Sequence, residues 1–303
     1  MKILLAGATG FIGKSLVHSL GEAGHHVTAL TRSKTKNNLP CVSIIWDASS
    51  VGTWSKALEG TDAVINLAGE NIARRRWTRR QKKRILESRL QTIQALFDAM
   101  DRARQKPKIF IQASAIGYYG PSTDQVFTED NGPGTDFLSS VCQRVEHELV
   151  QAKDGDLRCV ALRIGVVLEK GGGALPKISF PFRLLMGGHL GNGSQWFSWI
   201  HRQDLIGIIH HVLENSSLHG AVNATAPEPV TLKEFCRTLG EVLHRPSWAH
   251  VPGFVLKILL GEMSEMVLYG QRVSPKKLLD IQYPFLYPNC RDALEAILRP
   301  ASP

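Results

Sequence analysis

Three glycines, Gly7, Gly10 and Gly13, recur at every third position directly after the apolar run Ile3-Leu4-Leu5-Ala6. A short apolar run of this kind suits a strand buried on both faces of a parallel sheet. Beyond the glycines, Ile12, Leu16 and Leu20 recur at helical spacing with Val17 beside them, until Gly24 ends the helix and Val27 to Leu30 supplies a second strand. Strand, glycine turn and helix make the βαβ entry that holds a dinucleotide pyrophosphate. Gly7 permits the tight turn, Gly10 lets backbone N–H groups approach the phosphates, and Gly13 lets the helix pack closely on the strand. The helix N-terminus adds its partial positive charge. Thr9, Phe11 and Ile12, which complete the turn, are expected at the cofactor with the glycines. The end of the second strand selects the nucleotide: an acid there accepts from the ribose hydroxyls of NAD, whereas Arg meets the extra phosphate of NADP. Here it reads Leu30-Thr31-Arg32-Ser33-Lys34, without an acid. Arg32 is therefore expected to hold a 2′-phosphate, with Thr31 or Ser33 as hydroxyl donors, and NADP(H) is the expected cofactor.

Candidate reacting groups come from the middle of the chain. Lys108 to Ala113 reads as a parallel strand and runs into Ser114-Ala115-Ile116-Gly117-Tyr118-Tyr119-Gly120. Ser114, Tyr118 and Tyr119 are weak catalytic candidates, placed at the carboxyl end of a central strand, where such sheets keep their sites. Cys142 offers a thiol, but a helical Cys beside Val141 reads better as core. His201 and Asp204 are three apart and suit acid–base work, whereas the resemblance of Trp199 to Leu205 to a motif of the family named below implies residues that fix a loop onto the next helix. Five scattered cysteines without a C-x-x-C pair suit reduced thiols in the cytoplasm, and no metal site is expected. No run of about 18 apolar residues is present, so no membrane span is expected. The faint likeness of residues 1–13 to a signal peptide is set aside, because cleavage there would destroy the glycine motif.

These groups need a frame. At 303 residues, 43% hydrophobic and 21% charged, the chain has ordinary globular composition and can bury a substantial core. The formal charge of +9 is local: eight of the eleven residues from Arg74 to Arg84 are basic, and the remaining 28 basic residues nearly balance 27 acidic ones. That concentration, with one aromatic (Trp77) in the segment, argues against nucleic acid and leaves a protein partner at Arg74–Arg84 as an alternative. The segment leads into a long helix. Thr78 and Gln81 suggest a capping box, and Leu86, Leu90, Ile93, Phe97 and Met100 form an apolar stripe with Arg84 and Arg89 beside it. The strand Val42 to Trp46 ends at Asp47, which reads as a turn residue, while the family resemblance described next would put it near the adenine.

The pattern Gly7-x-x-Gly10-x-x-Gly13 with Thr9-Gly10-Phe11-Ile12-Gly13 inside it resembles the extended short-chain dehydrogenase/reductase family. Asn66-Leu67-Ala68-Gly69-Glu70-Asn71-Ile72, Gly117-Tyr118-Tyr119-Gly120, the Gly171-Gly172-Gly173 loop and Gly270 to Leu278 resemble its "epimerase family protein" subgroup, which is similar to NAD-dependent epimerase/dehydratases. The resemblance covers essentially the whole chain. It implies an α/β fold, a Rossmann-like doubly wound parallel sheet with a smaller substrate-side C-terminal part. The NADP-binding domain would span residues 1–165, completed by about 200–225. The substrate side would span 166–303, with a C-terminal helical module at about 248–297. The resemblance also implies cofactor contacts at Leu67, Ala68, Gly69, Arg84, Arg89, Gly165 and Val166. The family's catalytic Tyr and Lys stand four apart on one helix. Aligned on Glu146, those positions hold Leu138 and Cys142, and Ala115 falls at the substrate-side serine. The expected function is an atypical NADP(H)-dependent oxidoreductase or epimerase acting on a small polar molecule such as a nucleotide sugar. The alternative is a non-catalytic NADP(H)-binding protein that senses redox state or binds a partner.

Overall fold

The computed structural model describes residues 1–33, 38–152 and 156–299; Lys34 lies outside them. Seven parallel strands form the central sheet: β1 (Lys2–Ala6), β2 (His26–Thr31), β3 (Val42–Ile45), β4 (Ala63–Asn66), β5 (Ile109–Ala115), β6 (Arg158–Ile164) and β7 (Gly220–Ala224). Their spatial order is β7-β6-β5-β4-β1-β2-β3. The chain winds outward from β1 in one direction and then returns to its other side at β4, so the order reverses between β1 and β4. In such sheets that reversal opens a crevice beyond the strands' carboxyl ends.

Helices cover both faces. On one, α1 (Phe11–Glu22) and α5 (Arg202–Glu214) bury Leu16, Val17, Leu20, Ile208, Ile209 and Val212 against the sheet. On the other, α2 (Arg79–Arg102) and α3 (Phe137–Val150) bury Leu96, Ala99, Met100 and Leu149. A third core lies in the second half, where α4 (Leu175–Arg183), α6 (Leu232–Leu243) and α10 (Cys290–Leu298) pack Phe182, Phe235, Leu239 and Leu294 together with Trp199. The short α7 (Gly253–Leu260), α8 (Glu265–Leu268) and α9 (Lys276–Asp280) lie between α6 and α10. Helices α7 to α10 fall within, or one residue beyond, the stretch of about 248–297 expected to be helical. The chain from 220 to 224 adds the edge strand, so the sheet is completed more than fifty residues after β6.

Two local readings change. The Thr78 side chain accepts the Gln81 N–H at 3.2 Å, but the Gln81 amide turns to Glu70 instead of returning to the cap, so only half of the box forms. The full box is at α6, between Thr231 and Glu234. The buried face of α2 carries Ile85, Thr92, Ile93, Leu96, Ala99 and Met100, while Leu86, Leu90 and Phe97 are only half-buried. Small residues at 95 and 99 let the helix approach the sheet closely, which rotates the stripe.

Candidate functional site: the crevice between β1 and β4

Steric crowding shows why the turn after β1 needs glycines. Gly7 has φ +83°, and a Cβ there would stand 2.7 Å from the carbonyl carbon of Leu67 on the turn after β4. A Cβ on Gly13 would stand 2.3 Å from the Gly7 carbonyl oxygen. Gly10 caps α1 without any side-chain acceptor, and no acidic residue occupies the first turn. The first N–H groups of α1 therefore face the crevice as a cradle for an anion. Thr9 and Gly10 are exposed at its lip, with Ile12 half-buried behind. The Phe11 ring turns away from the cradle that its backbone helps to form. It fills the space a Cβ would take on Gly172 and Gly173, and so seats the glycine loop of the second half on the start of α1.

At the nucleotide end, Arg32 lines a cavity of about 370 Å³ with Trp46, Asp47, Ser50, Thr53 and Trp54. Thr31 is buried and donates its hydroxyl to the Ser33 carbonyl at 3.3 Å. Asp47 forms a turn and lines the same cavity as Arg32. Its carboxylate accepts from the Ser50 hydroxyl and from the Ser49 and Ser50 N–H groups, and these bonds lower its pKa to about 2. Arg84 is exposed in a second cavity with Arg80, Lys83, Glu87, Ser88 and Gln91, which shares no residue with the first.

Leu67, Ala68 and Gly69 follow β4 at the crevice. The Leu67 N–H donates to Ala6, and the Ala68 N–H to the Asn66 side chain. The guanidinium of Arg89 lies over Gly69, where a Cβ would come within 3.1 Å of its Cζ, and it donates to the Glu70 and Ile85 carbonyls. Burial lowers its pKa. Gly165 and Val166 do not offer N–H groups to a cofactor: these donate to the Ala224 and Ser198 carbonyls. The dinucleotide fits the donors present. Gly7, Gly10, Gly13 and the α1 N-terminus would take its pyrophosphate, and Arg32 a 2′-phosphate.

The end of the crevice beyond β5 holds an interlocked network. Ser114 donates to Glu146 at 2.7 Å, and Glu146 takes three hydrogen bonds from the Arg163 guanidinium at 2.7–3.3 Å. Arg163 also donates to the Tyr119 hydroxyl, which donates in turn to Asn223. The Tyr118 ring lies 3.5 Å from the guanidinium carbon. Burial alone would lower the Arg163 pKa, but Glu146 outweighs it and the charge is held more firmly than usual. Burial pushes Tyr119 up to about 12. Tyr119 and Ser114 are therefore structural, and among the described residues only Tyr118 of the three candidates has a hydroxyl without a partner. Cys142 is buried within reach of Ser114 and Arg89, and burial raises its thiol to about 11, which makes it core. Leu138 packs over Gly117 and joins an apolar wall with Ile72, Trp77, Leu86, Phe137, Met263 and Met266.

Residues 3–224 match the NAD dependent epimerase/dehydratase family, and residues 251–297 match a domain of unknown function, DUF1731. The chain belongs to the NAD dependent epimerase/dehydratase family. It is 42% identical to the chloroplastic epimerase family protein SDR39U1 homolog of Arabidopsis thaliana, over 99% of this chain and 87% of the relative. Identity to epimerase family protein YfhF of Bacillus subtilis is 39%, over 98% of each chain. The crystal structure of human epimerase family protein SDR39U1 (isoform 2) with NADPH superposes with a TM-score of 0.90 at 37% identity, covering 99% of this chain and 100% of that one.

The end beyond β5 departs from the epimerase/dehydratase pattern: all three polar positions of the usual triad are altered or already engaged. The ion pair that engages Ser114 there, Glu146 and Arg163, carried one sequence signal, since Arg163 is a lone charge in the otherwise apolar run Cys159 to Ile164. His201 caps α5 by accepting the Gln203 N–H, and Asp204 accepts from the Leu286 and Tyr287 N–H groups, anchoring the C-terminal segment. Both are positioned to hold chain segments together. Part of the basic segment also has an internal use. Arg76 donates to the Ile258 and Leu259 carbonyls at the end of α7, and Lys82 pairs with Glu262. Both hold the C-terminal module beside the apolar wall; Arg74, Arg75, Arg79 and Arg80 remain exposed.

Proposed function

We propose that this chain is an NADP(H)-dependent oxidoreductase or epimerase for a small molecule, working without the family's Tyr/Lys pair. The observation that carries it is the glycine cradle at the β1/β4 crevice with Arg32 at its nucleotide end. NADP(H), when bound, supplies or removes hydride. The chain's own part is to hold the dinucleotide through the α1 N-terminus and Arg32, and to offer the Tyr118 hydroxyl as proton donor. A nucleotide sugar is what the family resemblance implies, but the wall around Leu138 favours a substrate whose end beside the cofactor is apolar. Five free thiols suit a reducing compartment such as the cytoplasm, and among the described residues no helix is long and apolar enough to cross a membrane.

The engagement of Ser114 by Glu146 supports a second reading, an NADP(H)-binding protein that does not turn over, with Arg74, Arg75, Arg79 and Arg80 as a docking surface for a protein partner. One experiment separates the two. NADPH carrying deuterium at the transferable position is incubated with the protein and a panel of sugar nucleotides and apolar ketones. Label found in a product, and lost with Tyr118→Phe, supports the enzyme. NADPH binding without label transfer supports the second reading, and absence of NADPH binding sinks both.

A further inference from the structure

At the opposite end of the sheet from the crevice, His25 immediately precedes the first residue of β2 and faces the last turn of α5. His210 and Glu214 stand four residues apart on α5, hence on one helix face. One ligand atom from each of the three residues lies within 4.8 Å of the others, and the two imidazole rings are 5.9 Å apart, tilted by 34°. We propose that His25, His210 and Glu214 bind a divalent first-row transition ion such as Zn²⁺, clamping the α1–β2 turn to α5.

The donor set is that of a zinc site with one open position: two imidazole nitrogens, a carboxylate oxygen and water as fourth ligand. Imidazole donors select zinc, nickel or copper over magnesium and calcium, which prefer oxygen ligands. Metal–ligand lengths of ~2.0–2.2 Å place tetrahedral donors roughly 3.4 Å apart, so the three must close by about an ångström and a half at most. They can do so, because Glu214 is exposed and both rings are only half-buried. Among the described residues Glu214 makes no ion pair or hydrogen bond that would hold it back. The His210 ring is oriented from behind: the Ser19 hydroxyl lies 2.9 Å from its Nε2, where it can accept that ring N–H and leave Nδ1 for the metal. Partners of this kind fix ring direction in metal sites.

The test is calorimetric titration of the full chain with ZnCl₂ and with MgCl₂, alongside thermal melts and NADPH titrations. The expected result is saturable binding of one Zn²⁺ per chain with a rise in Tm, and no response to Mg²⁺. His210→Ala should weaken binding by more than about tenfold, given that even outer partners of metal ligands are worth 10–100-fold. Glu214→Gln, at an exposed position that cannot disturb the fold, should weaken it as well. NADPH affinity should be unchanged in both variants, because the crevice lies at the other end of the strands. Absence of saturable Zn²⁺ binding, an equal response to Mg²⁺, or Zn²⁺ binding untouched by both substitutions would overturn the site.

Discussion

Replacing Arg163 by Met tests whether the network behind the crevice is an integrated unit. Arg163 is 3% exposed and supplies three hydrogen bonds to Glu146 and one to Tyr119. Arg163→Met keeps much of the side chain's length against Tyr118 but leaves the Glu146 carboxylate, whose side chain is 13% exposed, with Ser114 as its remaining donor. Breaking a buried pair from one side costs about 3–5 kcal/mol, because the surviving charge is uncompensated. For a protein of this size that converts to a fall in Tm of roughly 6–20 °C, at 2–4 °C per kcal/mol. Adding Glu146→Leu removes the orphaned charge. The double variant should then recover to within about 1–2 kcal/mol of the parent, the remainder being the lost bonds of Ser114 and Tyr119. Urea melts followed by circular dichroism, with NADPH present and absent, measure both steps. A single variant that loses less than about 1 kcal/mol, or a double no more stable than the single, would show that the charges do not depend on each other as argued.

Arg32→Ala should weaken NADPH binding by about 1–3 kcal/mol, roughly 5–150-fold, and leave NADH nearly unchanged; calorimetry with both nucleotides checks this. Gly13→Ala should abolish NADPH binding, since its Cβ would sit 2.3 Å from the Gly7 oxygen, and a variant that still titrates normally would refute the close-packing argument. His201 is buried and neutral, its pKa lowered from 6.5 to about 4, so the unfolded chain takes up its proton first as pH falls. Stability should therefore be full above pH 6.5 and drop by about 2 kcal/mol by pH 5, and His201→Asn, which keeps a cap acceptor, should remove that part of the slope in urea melts. Cys142, held near 11, should resist iodoacetamide at neutral pH while half-buried Cys41 reacts first, and Cys142→Ala should keep NADPH affinity; peptide mass spectrometry and calorimetry test both.

The first forty residues were legible because the chemistry there is local. The positive φ of Gly7 and the contact of Gly13 with the Gly7 oxygen arise within seven residues of chain, although Gly7 is crowded by Leu67 as well. The sheet was legible for a related reason: doubly buried strands must be apolar along their whole length, and Ile3–Ala6, Ala63–Asn66 and Ile109–Ala113 are nearly so. What the sequence could not determine are partnerships between residues far apart in the chain. Nothing at Ser114 or Glu146 announces that they meet Arg163, or that this meeting commits the serine at the carboxyl end of β5. Nothing in the run of eight basic residues distinguishes Arg76 and Lys82, which reach the C-terminal module about 180 residues away, from neighbours that stay in solvent. Nor does His25 reveal that it faces His210 and Glu214. Burial desolvates a charge and fixes its partner at once, and burial is settled only when the helices close on the sheet.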